Sequence, residues 1–196
     1  MLGVFTTCSK NDKKQDEQKP TVSLENLQTA YGVSMKRNRW YSSYANHLQT
    51  QRQSNLSFLF RAIARSEAIR ADAHAKLLRT KGTEPTMPTI DSLAMGSASQ
   101  ALKMAISCET MQSESMYPTL IRTAELEKFP EAVEQFKQSR DADVRHLELF
   151  RNADGYSGNI ARTTYYCCPT CGYILTTDKT PECPTCKTAF SSFEKI

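Results

Sequence analysis

Apolar residues recur every three to four positions over four long stretches of the chain, the period of helices that each bury one stripe. The first stretch runs from Ser23, a residue suited to capping, to about Leu48, through Leu27, Tyr31, Met35 and Trp40. The second runs from about Asn55 to Arg79, with Leu59, Ile63, Ala64, Ala71, Ala75 and Leu78 on or near one face. A third starts near Ser97 and reaches about Leu126, and the fourth runs from about Pro130 to Phe150. Pro118 falls inside the third, which predicts a kink or a local bulge there. Between the second and third, Lys81 to Pro88 contains Gly82, Pro85 and Pro88 and breaks the pattern. Short turns on either side of one longer connection describe two hairpins joined by a crossover around 82–90, an antiparallel four-helix bundle. Residues 1–20 are polar and aperiodic, and read as a tether. Asp154 to Gly158 reads as a linker to a last segment without helical period.

Bulk properties add limits. A chain of 196 residues suffices for one helical domain and a small appendage. No apolar run approaches the roughly eighteen residues a transmembrane helix needs. The net charge of +4 is uneven: residues 20–86 carry ten Lys/Arg against four Asp/Glu, and residues 91–150 carry six against ten. Oppositely charged helices packing beside one another in one bundle explain this more simply than a basic face for an acidic partner. No motif supports nucleic-acid binding.

The cysteines carry the sharpest chemistry. Cys168-Pro-Thr-Cys171-Gly-Tyr is followed, after residues 172–182, by Cys183-Pro-Thr-Cys186. Two such pairs, each on a tight turn, can close on one metal ion as a tetrahedral four-sulfur site of zinc or iron. Gly172 can take a left-handed conformation that lets backbone N–H groups point at a sulfur. Together with aromatic cover from Tyr173, Phe190 and Phe193, that environment suits a redox iron; a structural zinc is the alternative. Cys167 adjoins the set but would spoil the register, and Cys108 reads as a small core residue. Cys8, after Met-Leu-Gly-Val-Phe-Thr-Thr, resembles the lipidated residue of a bacterial lipoprotein signal, although the preceding stretch is short and lacks basic residues. Lipidation would place the protein in the cell envelope; a plain tail would leave it cytoplasmic.

A four-helix bundle followed by such a knuckle resembles rubrerythrin, and local signatures agree. Arg37-Asn38-Arg39-Trp40 is similar to the family's first-helix signature, His74-Ala75-Lys76 to its second-helix His segment, and Met116-Tyr117-Pro118 to its third-helix Met-Tyr-Pro. The resemblance covers about residues 22–196. It implies a mainly α fold, a ferritin-like bundle over 22–153 with a rubredoxin-like domain over 160–196, and residues 1–21 as tether or signal remnant. It also implies a homodimer, a role in oxidative-stress defence, one iron on Cys168, Cys171, Cys183 and Cys186, and a di-iron carboxylate site in the bundle that reduces peroxide.

Carried over residue by residue, the bundle site is incomplete. The family's first-helix Glu falls on Val33, its second-helix Glu-x-x-His on Ala71 and His74, its third-helix Glu-x-x-Glu on Glu109 and Gln112, and its fourth-helix Glu-x-x-His on Asp143 and His146. The remnant is His74, Glu109, Asp143 and His146, enough for a mononuclear site or for a metal-free polar cluster. Glu67, one turn before Ala71, is the available replacement acid; Asp72 points away. Tyr31 and Tyr117 read as packed phenols, and Trp40, Met35, Met104, Met111 and Met116 as core. The expectation is a redox protein with weakened or lost peroxidase activity. The alternatives are a scaffold with a structural zinc knuckle and an active peroxidase using replacement ligands.

Overall fold

The computed structural model describes residues 21–90 and 94–196, so the Cys8 segment lies outside the described residues. Four helical rods form the body: α1 (Thr21–Thr50), α2 (Ser54–Thr80), α3 (Ala98–Met111) continuing into α4 (Tyr117–Leu126), and α5 (Pro130–Gly155). α1 packs mainly on α2, and α3 and α4 on α5. The basic and acidic halves of the sequence therefore meet inside one bundle, with exposed pairs such as Lys81–Glu131 (2.8 Å) across the seam. No helix among the described residues is long and apolar enough to cross a membrane.

The start of α3 follows ordinary capping chemistry, and the start of α1 departs from the expected cap. Ser97 and Gln100 form a reciprocal capping box at the start of α3. Ser23, expected as a cap, is instead buried in the first turn of α1. The Ser23 and Val22 amides donate to the Glu127 carboxylate, at 2.7 and 3.1 Å. A distant acid thus satisfies the orphan donors and meets the positive end of the helix dipole. The crossover is tied to α1 by a two-way bond between the Gln28 amide and the Thr86 backbone, 2.7 and 2.8 Å.

Pro118 is accommodated by a local bulge, one of the two outcomes that a proline inside the helix predicted. Gln112–Met116 forms a π-helical turn, and Pro118 sits in the first turn of α4, where its missing N–H breaks no bond. Met111, read as core, is exposed at this turn.

Two apolar clusters fill the bundle's ends. One gathers Tyr41, Leu48, Phe60, Ile63, Leu102 and Phe150. The other gathers Leu27, Leu78, Tyr117, Leu120 and Phe136. Between them, every rod turns buried polar residues inward: Arg37 on α1, Glu67 and Arg70 on α2, Glu109 on α3, and Asp143 and His146 on α5.

The tail forms a three-stranded sheet in the order β2 (Ile174–Leu175), β1 (Tyr166–Cys167), β3 (Glu194–Lys195), each strand two residues long. It docks on α2 and α5. Arg65 grips Glu194 bidentately at 2.6 and 2.7 Å, and Arg145 Nε donates to the Ile174 carbonyl at 3.1 Å.

Candidate metal centres

Cys168, Cys171, Cys183 and Cys186 converge so that their sulfurs all lie within 4.8 Å of one another. Cys168 and Cys186 are 3.4 Å apart, Cys171 and Cys183 3.6 Å. The edge of a four-sulfur tetrahedron with bonds of ~2.3 Å is about 3.8 Å, so the donor set fits a single ion. The turns aim backbone N–H groups at the sulfurs: those of Cys171 and Thr170 at Cys168, that of Tyr173 at Cys171, and those of Cys186 and Thr185 at Cys183. Hydrogen bonds from Cys171 and Cys183, joined by those backbone donors, hold the Cys168 thiol far below its ordinary range. Cys167 stays outside; its buried thiol, pushed up by desolvation, lies 3.6 Å from the Gly172 carbonyl.

Gly172 meets both requirements that call for glycine. Its φ of +79° is left-handed, and a Cβ there would lie 2.8 Å from Ser66 Oγ and 2.9 Å from the Ser66 carbonyl. The knuckle therefore sits directly on α2. Ser66 Oγ donates to the Gly172 carbonyl at 2.6 Å, and His146 Nε2 lies 2.9 Å from Ser66 Oγ. With its proton committed to Gly172, Ser66 accepts from His146 Nε2–H. That assigns the His146 tautomer and turns the Nδ1 lone pair toward the bundle's acids.

In the bundle, Glu67, Glu109, Asp143 and His146 bring ligand atoms within 4.8 Å of one another, all fully buried. Two arginines stand among them. Arg37 Nη1 lies 3.1 Å from Glu109, 3.4 Å from Glu67 and 3.7 Å from Asp143. Arg70 Nη1 contacts Asp143 and, at 3.1 Å, Glu67, while its Nη2 donates to Tyr117 Oη at 2.8 Å. Tyr41 Oη donates to Glu109 at 2.7 Å. Burial lowers both guanidinium pKa values, but Glu109 beside Arg37 and Asp143 beside Arg70 lead the opposing attractions, and both groups end well above their ordinary value. Burial pushes the Glu67 and Asp143 carboxyls up, against Arg70 in each case. It pushes Tyr117 up to about 12 and His146 down to about 4.

A family model described as Rubrerythrin matches residues 25–154. The chain belongs to the rubrerythrin family. It is 26% identical over 183 residues to Rubrerythrin-2 of Clostridium acetobutylicum, spanning 90% of this chain and 97% of that protein. It is 26% identical over 164 residues to nigerythrin of Nitratidesulfovibrio vulgaris, spanning 84% and 81%. A nigerythrin structure in its fully reduced, all-ferrous state matches with a TM-score of 0.81 at 25% identity, covering 95% of this chain and 91% of that one.

The resemblance to rubrerythrin implies a di-iron site in the bundle, and the buried residues gathered here do not fit one. Two cations at close range need several anions to compensate and bridge them. Here Glu67, Glu109 and Asp143 supply three, and two guanidinium groups already lie against them. Any ion coordinated by the same oxygens would stand beside fixed positive charge, which opposes its binding.

Of the four remnant residues, Glu109, Asp143 and His146 come together, joined by Glu67 in place of Ala71. His74 lies elsewhere, its Nε2 3.3 Å from Ser139 Oγ and its ring 6.0 Å from that of Phe136. Val33 is half-buried and Gln112 buried. The sequence motifs do not mark Arg37 and Arg70 as site residues, yet both fall on buried stripes, Arg37 with Ala30, Ser34 and Tyr41 and Arg70 with Ile63, Glu67 and His74. A charge on an apolar stripe was the available signal.

His74 provides a pH test. Burial, then the Arg70 charge, holds its pKa at about 3 against an ordinary 6.5. Below pH 6.5 the unfolded chain takes up this proton and the folded chain does not, so His74 withdraws stability as pH falls. Comparing the chain with His74→Leu by urea denaturation isolates the effect. The stability difference should move by about 2–3 kcal/mol in the variant's favour between pH 7 and pH 4.5. An unchanged difference would mean that folded His74 takes up its proton over the same range as the unfolded chain.

Proposed function

We propose that this rubrerythrin-family chain is a one-iron redox protein of oxidative-stress defence whose bundle has lost two-metal peroxidase chemistry. Cys168, Cys171, Cys183 and Cys186 would hold the ion, and iron bound there supplies transfer of one electron at a time. The observation that carries the reading is the contrast between the two clusters. The knuckle has four converging sulfurs with backbone donors aimed at them. The bundle's acids are already engaged by Arg37 and Arg70.

The chain's own residues prepare the knuckle for electron transfer in three ways. Backbone N–H groups stabilise negative charge on the sulfurs, which favours the thiolate forms a metal requires. Cys168, Cys171 and Cys183 are buried, with Tyr173 and Phe193 packed around them, while Cys186 is half-buried. The Gly172–Ser66–His146 chain and the Arg65–Glu194 pair keep the knuckle seated on the bundle.

Metal analysis with a visible spectrum of the purified protein tests this. About one iron per chain with ferric–thiolate absorption is expected, and the reduced knuckle should reoxidise slowly in peroxide. Three irons per chain, or fast peroxide turnover, would refute the loss of the bundle site. A colourless zinc protein would make the knuckle structural and the chain a scaffold.

A further inference from the structure

We propose that Arg37 and Arg70 are the bundle's resident cations, standing in for a metal pair, and that Glu67, Glu109, Asp143 and His146 remain beneath them as a latent divalent-cation site. This deepens the reading of a metal-free bundle and rests on it.

Charge and geometry both point this way. The two arginines and Tyr41 engage four of the six carboxylate oxygens: both of Glu109 and one each of Glu67 and Asp143. The guanidinium groups enter from different helices, and Tyr117 orients Arg70 from a third. Each guanidinium meets its carboxylate oxygens through Nη1, and arginine does so without giving up its proton. Three carboxylates buried without these partners would repel one another in a dry layer between two apolar clusters.

The latent site has its own signature. Glu67 Oε2, Asp143 Oδ2 and His146 Nδ1 are buried and make no hydrogen bond among the described residues. His146 Nδ1 carries a lone pair and lies 3.5 Å from Glu109 Oε2. Two oxygens and an imidazole nitrogen turned inward are donors of the type manganese, iron and zinc accept. The arginines' charge keeps such an ion out.

Manganese is the discriminating probe, because thiolates bind it weakly and the knuckle stays loaded with its own metal. The full chain, purified with its knuckle metal, is titrated with Mn2+ and followed by the paramagnetic signal of free ion and by thermal melting. The parent chain and the charge-keeping variant Arg37→Lys/Arg70→Lys should take up none. Arg37→Met/Arg70→Met should take up at least one ion per chain, and its Tm should rise by about 5–10 °C with Mn2+ a hundredfold above Kd. If the double variant fails to fold, the neutral but hydrogen-bonding Arg37→Gln/Arg70→Gln decides: uptake of one ion supports the proposal, and none overturns it. No uptake by a folded double variant also overturns it, while leaving the metal-free bundle intact. Stoichiometric uptake by the parent would defeat that underlying reading as well.

Discussion

Cys171→Ser is expected to empty the knuckle and unmake residues 160–196 as an ordered unit. The sheet there has strands of only two residues; its own interior is the cysteines with Tyr173 and Phe193 around them, and beyond that Tyr165, Cys167 and Ile174 are buried against the bundle. So small an interior cannot offset the entropy of ordering the chain. The missing stability has to come from the metal, which in comparable small sites is worth about 10–16 kcal/mol. Serine presents a hard, protonated oxygen where a thiolate is needed. Metal content should fall from about one per chain to near none, and limited proteolysis should remove the tail while α1 to α5 stay protected. The bundle survives because its two apolar clusters lie mostly between helices. A variant that loses its metal yet keeps the parent's protease resistance would show that the tail folds by packing alone.

Arg70→Met should be the most damaging single change in the bundle. The substitution leaves Asp143 and Glu67 buried with only Arg37 to compensate them, and strips Tyr117 of its hydrogen-bond partner. Breaking a buried pair from one side typically costs about 3–5 kcal/mol, because the remaining charge is stranded. For a chain of this size the Tm should fall by about 10 °C or more. Arg70→Lys should recover part of that, since it keeps the charge and loses the fork. Arg79→Met, at the exposed pair with Glu84, should leave the melting curve in place. An unchanged Tm in Arg70→Met would show that Arg70 acts through its alkyl chain, which methionine keeps, and not through its charge.

Much of this arrangement was legible in the linear chain, wherever the physics is local. Helical periodicity located four rods, and Pro118 within the third pointed to a kink or a bulge, of which the π-helical turn is the second. The Cys-x-x-Cys pairs, with Gly172 and Tyr173 after the first, marked the knuckle and its register. The start of α1 was misread at Ser23 because its cap is Glu127, more than a hundred residues away and invisible to local pattern. The bundle cluster was half-read for a related reason. Spacing from His74 put attention on Ala71, whereas the buried acid is Glu67, one turn earlier, followed by Arg70 at i+3.

The sequence by itself determined what depends on neighbours along the chain: four helices, a crossover, a four-sulfur knuckle and membership of a bundle family that this chain's carboxylates serve poorly. Only the tertiary structure decided which charges face one another. Arg37, Glu67, Arg70, Glu109, Asp143 and His146 come from four rods, and none of their partnerships except Glu67–Arg70 and Asp143–His146 lies within one turn of helix. In the sequence the two arginines look like ordinary basic residues of a basic half. Folding removes them from water together with three acids, and that burial, which neither sign of charge tolerates alone, makes arginine the cation of this bundle.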